Sequence, residues 1–378
     1  MISAGAFFEP ARARGFDFYT GVPCSFLTPL LNRAIAAPGV RYVGAASEGE
    51  AVAIAAGAWL TGRRTVVMCQ NSGLGNCVNP LTSLSRPFRI PTLLVTTWRG
   101  EPGIADEPQH EWMGRTTQAL LGVLGLGHAP FPADEAAIAP ALEAAEKAMD
   151  ETGLPFALVM AKGSVADEPL REAPPVARPR GERRDLRRGG APPARAAALE
   201  RVLAAVPETA ALVATTGKCG RELFTLADRP QHFYQVGSMG CAAPLALGVA
   251  LCCERPVLVL DGDGAALMKL GAWATIGAQA PANLVHVLLD NASHDSTGGQ
   301  ATASPNLEFE RIALACGYRT ASCCDDPAGL DAALAAALRE PGPHLVHVRI
   351  APGSLARLGR PTVAPADVAR RFKTFLAS

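Results

Sequence analysis

Short runs of β-branched or apolar residues alternate with helix-length, alanine-rich segments along most of the chain. That alternation predicts a parallel sheet with crossover helices. In the first half, strands are expected at Asp17 to Thr20, Arg41 to Val43, Thr65 to Cys69, Thr92 to Thr97 and Phe156 to Met160. Helices are expected at Ser25 to Ala36, Glu48 to Leu60, Leu74 to Leu84, Thr116 to Leu124 and Asp134 to Met149. The rhythm then stops. From Glu168 to Pro193 the chain carries six Pro and seven Arg and almost nothing to bury, which predicts an extended, self-repelling connector. It returns with strands at Ala211 to Thr215, Phe233 to Val236, Val257 to Asp261, Leu284 to Asp290 and Leu345 to Arg349. The matching helices are Ala194 to Ala205, Arg221 to Ala227, Ala242 to Leu251, Ala265 to Ala278, Leu307 to Ala315 and Leu330 to Leu338. The expectation is two tandem α/β domains, residues 1–167 and 194–378, joined by a Pro/Arg-rich linker, 168–193. Each is a doubly wound parallel sheet, so chemistry is expected in loops that follow strands.

Composition narrows the function. The 378 residues are 49% hydrophobic, enough for a large core, and 35 Lys plus Arg balance 35 Asp plus Glu. Formal neutrality argues against nucleic acid or an anionic membrane as partner. The longest apolar run, Cys241 to Cys253, has the length of a core helix rather than of a membrane span. The N-terminus lacks the basic-then-apolar order of a secretory signal, so the cytoplasm is the expected location. The ten cysteines sit mainly in apolar stretches and read as reduced thiols. The vicinal pairs Cys252/Cys253 and Cys323/Cys324 lack a second ligand pair at zinc-site spacing.

The most informative stretch is Asp261 to Gln300, DGDGAALMKLGAWATIGAQAPANLVHVLLDNASHDSTGGQ. One strand runs into Gly262-Asp263-Gly264, a helix follows, and the next strand ends in Asp290-Asn291. Two strands joined by one helix end at the same sheet edge, so both loops can present side chains there. A carboxylate, an amide oxygen and a loop carbonyl suit Mg²⁺, which keeps few protein ligands and completes its octahedron with phosphate and water. By itself Gly262-Asp263-Gly264 is equally a tight turn, and a dinucleotide reading lacks the G-x-G-x-x-G opening. Thr215-Thr216-Gly217 ends another strand before a helix and offers hydroxyls and amides to phosphate, although Thr216 alone reads as well as a helix cap. Glu48 opens an apolar helix, where local grounds alone make it a carboxylate stabilised by the helix dipole.

Gly262-Asp263-Gly264 followed about 27 residues later by Asp290-Asn291 resembles the cofactor motif of thiamine-diphosphate enzymes, which usually end it in paired Asn. The resemblance implies a pyrimidine-binding domain first and a diphosphate- and metal-binding domain second. Asp263, Asn291 and the carbonyl of Ser293 would bind Mg²⁺. Thr215, Thr216 and Gly217 would receive the diphosphate, with further cofactor contacts from Gly262, Gly264 and Asn71. In Gly237-Ser238-Met239-Gly240, Met239 would wedge the cofactor into its bent shape and the Gly237 carbonyl would accept from the aminopyrimidine. Glu48 would be the acid that activates the pyrimidine. In such enzymes the acid of one subunit generally meets the cofactor of another, so a homo-oligomer with active sites at subunit interfaces is implied.

Five further segments are similar to the phosphonopyruvate decarboxylases within that group: TGVPCSFLTPLLN from Thr20, QNSGLGNCVNPLTSL from Gln70, WRGEPGIADEPQH from Trp98, TTGKCGREL from Thr215 and HDSTGGQATASP from His294. The implied reaction is decarboxylation of 3-phosphonopyruvate to phosphonoacetaldehyde and carbon dioxide, with thiamine diphosphate and Mg²⁺, in phosphonate metabolism. The implied alternatives are sulfopyruvate decarboxylation and, more remotely, a non-catalytic cofactor-binding subunit. A small-molecule substrate with two anionic groups calls for Arg, Lys and hydroxyl contacts, and Ser25, Arg99, Lys218 and Arg221 are the candidates. His294, three residues past Asn291, is the candidate proton donor after carbon dioxide departs.

Overall fold

In a computed structural model, which describes residues 1–174 and 178–378, the chain divides into two compact units, Met1–Val176 and Ala177–Ser378. Residues 175–177 of the expected connector lie outside the described residues. The first unit is built on six parallel strands: β1 (Phe16–Gly21), β2 (Arg41–Gly44), β3 (Arg64–Cys69), β4 (Leu93–Thr97), β5 (Gly127–Pro130) and β6 (Phe156–Met160). Their order is β2-β1-β3-β4-β6-β5. The sequences VVMC, LLVTT and FALVM of the inner strands are apolar on both sides because helices cover both faces. One face carries Phe7, Phe8, Leu30 and Leu142; the other carries Val52, Ala55, Leu74 and Leu81. The helix Glu48–Leu60 is apolar nearly all round and is buried accordingly. Because β1 lies between β2 and β3, the winding reverses there and opens a crevice at the carboxyl ends of β1 and β3.

The second unit repeats the plan with seven parallel strands. They are β7 (Glu182–Asp185), β8 (Ala211–Ala214), β9 (His232–Tyr234), β10 (Val257–Gly262), β11 (Leu284–Asp290) and, after a short hairpin of β12 (Ser293–His294) and β13 (Gln300–Ala301), β14 (Thr320–Cys324) and β15 (His344–Arg349). The order is β7-β14-β15-β11-β10-β8-β9. Here the winding reverses between β8 and β10, so the loops that leave those two strands diverge around a second crevice. Among the described residues no helix is long and apolar enough to cross a membrane.

Several elements differ from the pattern-based expectation. Glu182–Asp185, read as part of the solvated connector, pairs in parallel with β14 as an edge strand. Its sequence, ERRD, carries no apolar signal because both faces of that edge meet solvent. The expected helix from Ala265 to Ala278 is two helices, Asp263–Met268 and Gly271–Gln279. Strands β5 and β14 and the helices Ala4–Ala13 and Pro365–Ala377 were not foreseen; TASCC and GHAP are too short and mixed to stand out.

One close approach gives a direct test of this packing. A β-carbon on the buried Gly277 would overlap the backbone carbonyl of Cys316. Gly277→Ala is expected to cost about 1–3 kcal/mol through the backbone shift it forces. Urea denaturation that leaves the midpoint unchanged would contradict the packing of that helix.

Candidate functional site

The crevice of the second unit holds a cavity of about 250 Å³. Its wall brings together the loops after β8, β9, β10 and β11, through Thr215, Gly217, Met239, Asp263, Asn291 and His294. Thr216, Lys218, Gly262, Gly264 and Ser293 also face it. Gly237 lies in the loop after β9 but outside the cavity wall. Gly264 is needed for closeness: a β-carbon there would press on the His294 ring, 2.5 Å from Cε1, and on the end of Met239 at 3.3 Å. Gly217 adopts φ 90° and starts the helix Lys218–Leu226, whose first amide donates to Ser296 Oγ at 3.3 Å.

Asp263 is 2% exposed, and Thr302 Oγ1 donates to its Oδ2. Burial, reinforced by the nearby charge of Asp290, raises its pKa above the ordinary carboxylate value. A cation would remove that penalty. The hydroxyl of Thr215, also buried, has no hydrogen-bond partner among the described residues. A buried carboxylate without an ion-pair partner among the described residues, beside an unsatisfied hydroxyl and a helix N-terminus, fits a divalent cation and the phosphate oxygens it would carry.

Asn291 is oriented by a network that the sequence did not reveal. Its Nδ2 donates to Asp295 Oδ2 at 2.7 Å, and its Oδ1 accepts from Ser293 N at 3.1 Å. Asp295 is anchored in turn by Arg195 Nη2 at 2.6 Å, and Arg195 also meets the fully buried Glu222 at 3.4 Å. Burial opposes the charge of Asp295, but Arg195 outweighs it and holds the carboxyl below its usual range.

Asp290, where related motifs carry Asn, points the other way. Its Oδ2 accepts from Ser304 Oγ at 2.5 Å and from His347 Nε2 at 2.9 Å and forms an ion pair with Arg349 Nη1 at 3.0 Å; its Oδ1 caps Ala292 N at 3.0 Å. Three donors and a cation converge on it, which an amide could not satisfy. That cap also steadies Ala292 at φ 56°, the turn that sends Asn291 toward the cavity. His347 Nδ1 continues the chain to Glu310 at 2.9 Å. Burial disfavours the imidazolium, yet the hydrogen bonds to Asp290 and Glu310 prevail and raise the His347 pKa. Glu310, despite its burial, is held down to about 2 by His347.

Arg221, a candidate for the substrate anion, lines a neighbouring cavity with Thr216 and Gly217. Its guanidinium donates to the carbonyls of Gly359 at 2.9 Å and Leu358 at 3.1 Å, tying down the C-terminal segment, and it does not line the cavity of Asp263. Lys218 does line it, and among the described residues it forms no salt bridge. Cys219 lines it as well, but burial pushes its thiol up to about 12, so it is no nucleophile.

In the first unit, Glu48 opens its helix behind the N-cap Ser47, whose hydroxyl accepts from Glu50 N. Asn76 Nδ2 donates to Glu48 Oε2 at 2.7 Å. Gly73 packs so closely that any β-carbon would overlap the Glu48 side chain. Arg99 and Ser25 are brought together, Nη1 donating to Oγ at 3.1 Å. Arg99 is not a free cation, however: Asp106 binds it bidentately at 2.5 and 2.7 Å, and this pair depresses the Asp106 pKa. Asn71 is fully buried with its amide donating to Arg99 O at 2.8 Å and Thr117 Oγ1 at 2.9 Å, which ties it to the Arg99 loop.

Family models agree with this division. Residues 3–120 match the N-terminal binding domain of thiamine pyrophosphate enzymes and residues 215–348 match the C-terminal one. The chain belongs to the thiamine pyrophosphate enzyme family. Within it, the chain is 51% identical to the phosphonopyruvate decarboxylase of Streptomyces viridochromogenes, over 100% of this chain and 96% of that protein. It is 30% identical to the sulfopyruvate decarboxylase of Methanosarcina acetivorans, over 97% of this chain and 96% of that one. The crystal structure of benzoylformate decarboxylase from Polynucleobacter necessarius shares the fold, with a TM-score of 0.70 at 15% identity, covering 94% of this chain and all of that one.

The Asp290–His347–Glu310 chain predicts a pH signature. A raised His347 pKa stabilises the fold fully below the ordinary histidine value and loses that contribution as pH rises through the folded value. The lowered Asp290 and Glu310 pKa values stabilise above the ordinary carboxylate range and lose it as pH falls through their folded values. The stability difference between the unsubstituted protein and His347→Gln is therefore expected to peak at about pH 5 to 6.5, at roughly 3 kcal/mol, and to shrink above neutrality. A difference flat from pH 5 to 9 in urea titrations would contradict the charged network.

Proposed function

We propose that this protein decarboxylates 3-phosphonopyruvate to phosphonoacetaldehyde and carbon dioxide with thiamine diphosphate and Mg²⁺. The observation that carries the reading is the cavity where a buried, cation-less Asp263 meets Asn291 and the unsatisfied Thr215 hydroxyl, in a chain with 51% identity to a phosphonopyruvate decarboxylase along its whole length. The lower identity to the sulfopyruvate enzyme supports phosphonate over sulfonate. When bound, thiamine diphosphate supplies the sink for the electron pair released as carbon dioxide leaves.

The residues divide the remaining work. Asp263, the Asn291 amide oxygen and the Ser293 carbonyl hold Mg²⁺, with Asp295 and Asp290 fixing the Asn291 turn. Thr215, Thr216 and the amides after Gly217 would receive the diphosphate, Met239 with Gly262 and Gly264 would shape the room around it, and the Gly237 carbonyl in the loop after β9 would accept from the aminopyrimidine. Glu48 holds a proton against the aminopyrimidine, reaching it across a subunit interface in a homo-oligomer. Lys218 and the Ser25–Arg99 pair orient the anionic groups of the 2-oxo acid. His294 delivers a proton to the carbon that carbon dioxide has left. Cysteines sited mainly in buried apolar stretches support a reducing compartment, and we assign the protein to the cytoplasm.

Two substitutions test these roles. Glu48→Gln is expected to keep the Mg²⁺-dependent rise in melting temperature with thiamine diphosphate while losing at least about 100-fold in kcat. Turnover at the unsubstituted rate would remove Glu48 from the mechanism. Asp263→Ala is expected to abolish the Mg²⁺ dependence of thiamine diphosphate binding in calorimetry; unchanged affinity in Mg²⁺ buffer would refute the metal assignment.

A further inference from the structure

The arginines of the connector do not all face open solvent. At the end of the second sheet opposite the candidate active site, Arg178, Arg180 and Arg184 join Arg319 around a cavity of about 490 Å³. Its other wall residues include Glu182, Glu340, Thr320 at the start of β14, and Pro343 just before β15. Four arginines face two glutamates, and the glutamates are already engaged. Glu340 binds Arg184 in two contacts of 2.9 Å, and Glu182 adds contacts of 2.8 and 3.1 Å to the same guanidinium. Arg178 gives one N–H to the Ala278 carbonyl at 3.0 Å. Arg180 and Arg319 have no salt-bridge partner among the described residues.

Packing brings together the backbone segments that carry those two exposed cations. Gly181 lies so close to the carbonyls of Tyr318 and Arg319 that no side chain fits there, and Glu182 N donates to Arg319 O at 3.0 Å. The connector is thereby pinned to the start of β14 with Arg180 on one side of the contact and Arg319 on the other. Like charges lining one concave surface raise the local positive potential, and an anion in the concavity lowers it. Planar guanidinium groups match the oxygen geometry of phosphate in particular.

We propose that this cavity is a second anion site, for a small phosphate-bearing dianion bound between Arg180 and Arg319 with Arg178 at its rim. Arg184, fixed by its two glutamates, forms a wall rather than a ligand. The site lies across the length of the sheet from Asp263, about 20 Å by the rise of a seven-residue strand, so it is separate from the cofactor cavity. The ligand's source is either free phosphate or a phosphate monoester, since both present the same dianionic head.

The test uses the holoenzyme saturated with thiamine diphosphate and Mg²⁺, so that the diphosphate subsite is filled. Inorganic phosphate and adenosine 5′-monophosphate are titrated separately by calorimetry into this protein and into the Arg180→Ala/Arg319→Ala variant. One saturable event per chain is expected for at least one probe, weakened at least tenfold in the variant, while kcat for the 2-oxo acid stays unchanged. Tighter binding of the monoester identifies the esterified source, and tighter phosphate binding the free ion. In phosphate-free buffer the variant is expected to melt no lower than the unsubstituted protein, because the pair is repulsive when empty. Equal affinity in the two proteins, or no saturable binding of either probe, would overturn the proposal.

Discussion

The candidate active site depends on how four acidic side chains are accommodated at the carboxyl ends of β10 and β11. Asp261 lies 3.4 Å from the buried His286. Asp290 is met by His347, Arg349 and Ser304, and Asp295 by Arg195. Asp263 forms no ion pair with the described residues, and its carboxylate accepts from the Thr302 hydroxyl. Burying a carboxylate without a counter-charge is costly enough that folds normally avoid it. Asp290 and Asp295, compensated by their cations, build the loops, while Asp263 is left facing the cavity where a metal can discharge it.

That arrangement accounts for the departure at Asp290. An amide there would set its own N–H₂ against the donors of His347 and Ser304 and the charge of Arg349, whereas a carboxylate accepts from both donors, pairs with Arg349 and still caps Ala292. The acid is therefore structural, turned away from the cavity, and Asn291 keeps the cavity-facing position. Strand β15 is what makes the exchange possible, since it supplies both His347 and Arg349.

Much of this was legible in the sequence. Buried parallel strands such as LLVTT and LVHVLLD announce themselves because both of their faces are apolar, and the Gly-Asp-Gly turn marks where such a strand ends. Edge strand β7 was not legible, because ERRD owes its extended form to hydrogen bonds with β14 rather than to any pattern of its own. The arginines illustrate the same limit. Arg99, Arg195 and Arg221 are alike in sequence, yet one is paired with Asp106, one is buried between Glu222 and Asp295, and one grips backbone carbonyls. Their partners lie between 7 and 158 positions away in the chain, so the role of each charge is decided by tertiary contact.

The substrate is the most exposed part of the account, since phosphonate and sulfonate differ chiefly by one negative charge. Carbon dioxide release by the purified protein, with saturating thiamine diphosphate and Mg²⁺, from equal concentrations of phosphonopyruvate, sulfopyruvate and pyruvate tests it most directly. The account predicts a kcat/KM for phosphonopyruvate at least tenfold above that for the other two. Faster release from sulfopyruvate, or none from phosphonopyruvate by cofactor-loaded protein, would contradict it.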